Sequence, residues 1–156
     1  MASRYPPLKP LKVSNVGLRI RYSPFTTPFK YEEDVLSNLR NPDFPKVKDR
    51  IEQLPKSELR WKIVTDVSVK ALPKATRRNW LKRRWIAALI QALAARGFKS
   101  SGHAKEGGAA QSLQGTLELL VYEGYGFDAP FAKLVKRAGS IVEAIEEEHK
   151  KNVHNG

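Results

Sequence analysis

The sequence predicts a single small α+β domain, and three observations predict it. Val13–Tyr22 and Leu59–Val69 alternate apolar and polar residues with the period of half-buried strands, and Leu113–Tyr122 places Leu113, Leu117, Leu119 and Val121 inward. Two longer segments, about 76–96 and from 128 onward, repeat apolar residues at helical spacing. The resulting order, β…β-α-β-α, suits a sandwich of about three strands with both long helices on one sheet face.

Each element has a local reason. Pro6, Pro7 and Pro10 oppose a helix, so residues 1–10 read as an extended basic arm. In the first strand Val16, Leu18, Ile20 and Tyr22 share one face, and Arg19 and Arg21 the other. Pro24 and Pro28 end it. Tyr31–Leu39 reads as a short helix whose acidic start, Glu32-Glu33-Asp34, suits the positive pole of the helix dipole. Asn41–Pro45 breaks the chain, and Val47, Ile51 and Leu54 recur at helical spacing before Pro55. In the second strand Leu59, Trp61, Ile63, Thr65, Val67 and Val69 share one face, opposite Arg60, Lys62, Val64, Asp66, Ser68 and Lys70.

Pro73 closes that strand, and the helix from Thr76 to Arg96 stops at Gly97, the usual C-terminal residue. Lys99–Gln111, rich in Gly, Ser and Ala, reads as a mobile loop. Asp128 is the expected N-cap of the last helix, with Phe131, Leu134, Val135, Ala138, Ile141, Val142 and Ile145 as its stripe. These elements make residues 11–149 one domain and leave 150–156 as a flexible tail.

Composition narrows the function. A chain of 156 residues, 41% hydrophobic, with three Trp, six Phe and five Tyr, supports a core. The absence of Cys excludes a disulfide scaffold, thiolate catalysis and Cys-based metal sites. No apolar run approaches the roughly 18 residues of a membrane span.

Charge is the strongest signal. The net charge is +12. Between Val67 and Lys105 there is no acidic residue, yet Lys70, Lys74, Arg77, Arg78, Lys82, Arg83, Arg84, Arg96, Lys99 and Lys105 all lie there. Self-repulsion at that density opposes compaction and makes a polyanion the natural partner.

On a helical wheel of residues 76–96, Leu81, Trp85, Ile86, Leu89, Ile90 and Leu93 gather on the core side. Arg77, Trp80, Arg83, Arg84, Ala87 and Gln91 fall opposite. Trp80 stands among arginines, where an indole can stack on an unpaired base while guanidinium groups hold phosphate. The alternative is that it packs against the arm or a loop. Arg78 and Lys82 fall within the apolar arc, which places the first turns of the helix beyond the sheet, basic all round and suited to phosphate. The polar sheet face adds Arg19, Arg21, Arg60, Lys62 and Lys70 as a second basic surface.

Catalysis finds little support. His103 falls in the expected mobile loop, and His149 and His154 at the expected frayed end, without metal-ligand spacing. Neither Gly107-Gly108 nor Gly124-Tyr125-Gly126 matches a phosphate-binding fingerprint. The expectation is a non-enzyme without cofactor or metal.

A small α+β core, a proline-bearing basic arm, a lysine-rich tail and no catalytic set resemble the organelle-specific class of ribosomal proteins. The resemblance rests on composition and layout across the chain and carries no residue over. It implies an RNA-binding structural component of a mitochondrial ribosome, with rRNA and neighbouring proteins as partners. From Met1 to Tyr31 six basic and no acidic residues occur, a bias shared by organelle transit peptides. The alternatives are a protein-interaction subunit of another complex or a DNA-binding module, in the nucleus, nucleolus or cytoplasm. The expected RNA-binding residues are Arg19, Arg21, Lys70, Lys74, Arg77, Arg78, Trp80, Lys82, Arg83 and Arg84.

Overall fold

The computed structural model describes residues 5–13, 16–66, 75–108, 111–122 and 124–155. Its elements are β1 (Lys9–Pro10), β2 (Leu18–Ser23), α1 (Lys30–Leu36), α2 (Phe44–Glu52), β3 (Leu59–Asp66), α3 (Ala75–Ala95), β4 (Gly115–Tyr122) and α4 (Phe131–Asn155). The class is α+β, with a mixed sheet in the order β1-β2-β4-β3. β2 pairs antiparallel with β4, and β3 runs parallel to β4 with α3 as the crossover.

One cluster of buried side chains holds these elements together. Leu18 and Ile20 of β2, Ile63 of β3 and Leu117, Leu119 and Val121 of β4 meet Leu81, Trp85, Leu89 and Leu93 of α3. Leu134, Ala138, Ile141, Val142 and Ile145 of α4 complete it. Trp85 is fully buried, and its indole N–H donates to the Tyr125 carbonyl at 3.0 Å. β4 is an interior strand between β2 and β3, and its residues from Gly115 to Leu119 are all buried. Gly115, at φ +117°, starts it because a Cβ there would run into the Ser23 carbonyl.

The second sheet face is occupied by α1 and the segment leading to it. Glu32 is fully buried and accepts from the Phe29 N–H at 2.9 Å and from Arg60 at 2.6 Å, with Arg50 at 3.8 Å. The Arg60 guanidinium lies 4.2 Å from the Phe29 ring centre, and the Lys62 ammonium 4.0 Å from that of Tyr31. Glu118 binds Arg21, its direct cross-strand partner, and also accepts from the Lys30 N–H at 2.8 Å. Of the expected second basic surface, Arg21 and Arg60 are therefore committed to internal ion pairs and Lys62 lies over the Tyr31 ring. Arg19 stays exposed, and Lys70 lies outside the described residues.

Several boundaries differ from expectation, each for a local reason. The first strand begins at Leu18, and Val16 is 65% exposed before it. The second is described from Leu59 to Asp66, and its expected extension to Val69 lies outside the described residues. The third starts at Gly115, while Leu113 stays buried by donating to the Gly102 carbonyl at 2.7 Å. The first helix ends at Leu36, leaving Leu39 70% exposed. The last helix starts at Phe131, after Pro130, so Asp128 is not its N-cap. It also continues to Asn155, so the segment beyond 149 is helical through that residue. His149 is buried within this helix rather than frayed.

Two further corrections concern the arm and the loop after α3. Lys9 and Pro10 pair with Tyr22 and Arg21 as a fourth strand, and Thr27 Oγ1 donates to the Pro6 carbonyl at 2.5 Å. The arm is thus fixed to the sheet from Pro6 to Pro10. The loop read as mobile is a small hairpin: Phe98 bridges Ala104, the Lys99 N–H donates to the His103 carbonyl, and the Leu59 N–H to the Ser101 carbonyl. Gly102, at φ +84°, makes that approach, since a Cβ there would meet the Leu59 Cβ at 2.6 Å. His103 sits in this hairpin with its Nδ1 3.0 Å from the Ser101 hydroxyl.

Candidate nucleic-acid interface

Topology decides which basic residues come together. Because β3, α3 and β4 form a parallel crossover, α3 starts beyond the carboxyl end of β3, and α4 starts beyond that of β4. Open sheets with parallel strands commonly bind ligands at that end. The helices run in the same direction: Arg84 of α3 reaches Ala129 and Phe131 at the start of α4, and Arg96 binds Glu146 at 2.5 Å further along. The N-terminal halves of both helices therefore share one end of the molecule.

On α3, no residue before Leu81 is buried. Arg77 and Arg83 are exposed, Arg78 and Lys82 half-buried. The first turn contains no acidic residue. Arginines there oppose the helix dipole, and a bound anion reverses that penalty. Among the described residues, Arg77, Lys82 and Arg83 form no ion pair. Lys70 and Lys74 lie outside the described residues.

Arg84 and Arg21 do not belong to a free cationic surface. Arg84 donates to the Ala129 carbonyl, and its guanidinium lies 4.7 Å from the Trp80 ring centre and 5.9 Å from that of Phe131. It clamps the loop before α4 onto α3. Arg21 is held by Glu118, and only Arg19, its neighbour on the same sheet face, is exposed. Wheel position and strand alternation indicate which way a side chain leaves the backbone, not whether an acid or carbonyl waits there.

Trp80 packs on a loop. Its ring meets Phe127 edge-on at 5.0 Å and 68°, yet 44% of the residue remains exposed. Ile90, assigned by spacing to the core side, is 41% exposed on the outer face of α3.

The structure adds Lys133 and Lys136, both exposed in the first turns of α4. Sequence reading passed over them because residues 106–156 are net acidic. The acids of α4 are concentrated in its later half, at Glu143, Glu146, Glu147 and Glu148. That asymmetry along one helix was the available signal. Exposed Asp128, before α4, and Asp66, the last described residue of β3, are acidic residues at this end.

Among the described residues, no three His, Asp or Glu side chains are grouped to hold a metal ion, and no helix is long and apolar enough to cross a membrane. Comparisons with protein-family models, curated proteins and solved structures return no match.

Proposed function

We propose that this chain is an RNA-binding structural component of a ribonucleoprotein, with the mitochondrial ribosome as the assembly its composition and layout most resemble. The observation carrying this reading is the shared basic end. Arg77, Arg78, Lys82 and Arg83 of α3 lie at the same end as Lys133 and Lys136 of α4, where both helices begin and the positive poles of their dipoles lie. Phosphate is the ligand that answers both features, since it carries the opposite charge and several acceptor oxygens. Lys70 and Lys74 extend the same run in sequence.

A component of such an assembly also contacts neighbouring proteins. From Trp85 to Ala95 α3 carries no charge, and Ala87, Ile90, Gln91, Ala94 and Ala95 are exposed. That strip suits a protein neighbour, beside a basic end that suits RNA. It equally supports the second reading, a protein-interaction subunit.

The salt dependence of RNA binding separates the two. Six phosphate contacts give a slope of log K against log salt of about −4 on single strands, at about 0.7 for each. A slope near zero at measurable affinity would leave the basic end without phosphate contacts and favour the protein-interaction reading.

A further inference from the structure

A second candidate site lies away from the basic end, between the arm and the last turns of α4. There the structure holds a groove of about 540 Å3, within the range of small-ligand sites. It is preformed: the β1–β2 pairing, the Thr27–Pro6 hydrogen bond and the Leu11 N–H to Ile20 carbonyl bond at 3.2 Å fix its arm wall.

Its lining has two chemistries. The apolar part includes Pro6, Pro7 and Phe25. Phe25 is 51% exposed and has no ring or cation partner among the described residues. Tyr22 forms the buried floor, and its hydroxyl proton is already committed to the Gln114 carbonyl at 2.5 Å. Burial and the Glu148 carboxylate hold that phenol above its usual range, so it stays neutral. The charged part includes Lys9, Lys12, Lys151 and Glu148. Lys151 lies 3.7 Å from Glu148, whereas Lys9 and Lys12 form no ion pair among the described residues.

We propose that this groove takes one unpaired nucleotide, with its base against Phe25 and the proline wall and its phosphate on Lys9 and Lys12. An unpartnered aromatic ring beside two unpaired ammonium groups suits a ligand that joins a flat ring to an anion. Nucleotides do so in every unit, and each base offers a face for stacking. Bases inside a duplex are stacked already, so the site selects single-stranded segments. The inference deepens the RNA-binding reading and rests on it; a free mononucleotide would supply the same chemistry.

Full-length protein is titrated with a single-stranded RNA oligomer, a blunt RNA duplex, a nucleoside 5′-monophosphate and an acidic peptide. Phe25→Ala should weaken single-strand binding about tenfold and leave duplex binding unchanged, because a stacked base is lost. Phe25→Trp should restore it, which excludes a folding defect. Lys9→Gln with Lys12→Gln should also weaken single-strand binding. Saturable, Phe25-dependent binding of the monophosphate would make the free nucleotide a ligand in its own right; its absence would assign the groove to the strand. The inference is overturned if wild type binds RNA but Phe25→Ala binds single strands as tightly, or if only the peptide depends on Phe25. If wild type binds no RNA, the proposed function fails instead, while Phe25-dependent monophosphate binding would still uphold the groove.

Discussion

Replacing Arg77, Lys82, Arg83, Lys133 and Lys136 together with Gln should flatten the salt slope for single-stranded RNA by about 3.5 units, at about 0.7 for each phosphate no longer neutralised. All five are exposed or half-buried. None is in an ion pair among the described residues, so the variant should fold and relieve part of the self-repulsion of a chain carrying +12. Arg84→Ala is the matching control. It removes the clamp on the Ala129 carbonyl and the cation over Trp80, at a cost of about 1–3 kcal/mol in stability. Its salt slope should stay near that of wild type. A flattening of about 0.7 by Arg84→Ala alone would mean that its guanidinium faces phosphate rather than the loop.

Trp85→Ala should be the most destabilising single change in α3, costing about 3–5 kcal/mol of a total of about 5–15. The indole is fully buried, stacks on Tyr125 at 6.0 Å and supplies the donor for the Tyr125 carbonyl. Truncation leaves a cavity and an unpaired acceptor where α3 meets the loop before α4. Trp80→Ala should cost only about 1 kcal/mol, since it gives up an edge-on packing with Phe127 and a cation interaction with Arg84 at a half-exposed position. Urea denaturation of the two variants reads this difference. Similar destabilisation at both positions would place Trp80 in the core.

What the sequence made legible is what depends on local period. Alternation in Leu59–Asp66, the helix ending before Gly97 and the apolar stripe of α4 all follow from side chains a few residues apart. The pairing of charges was not legible. Arg21 meets Glu118 across 97 positions, Arg60 meets Glu32 across 28, and Arg84 meets Ala129 across 45. Each pairing depends on strand register or on helices running side by side, which periodicity does not encode. The same reason hid Lys133 and Lys136, which join the basic end only because α4 starts beside the N-terminal half of α3. The loop after α3 looked mobile because Gly and Ser dominate it. Gly102 is there because the hairpin passes against Leu59, closer than a side chain permits.

The most direct test of the central claim is sedimentation of the protein in a cell or mitochondrial extract, with and without ribonuclease. An RNA-bound structural component should travel in a heavy ribonucleoprotein fraction and shift to lighter fractions after digestion. Migration in a heavy complex that ribonuclease leaves unchanged, or as a free protein in both gradients, would contradict the account.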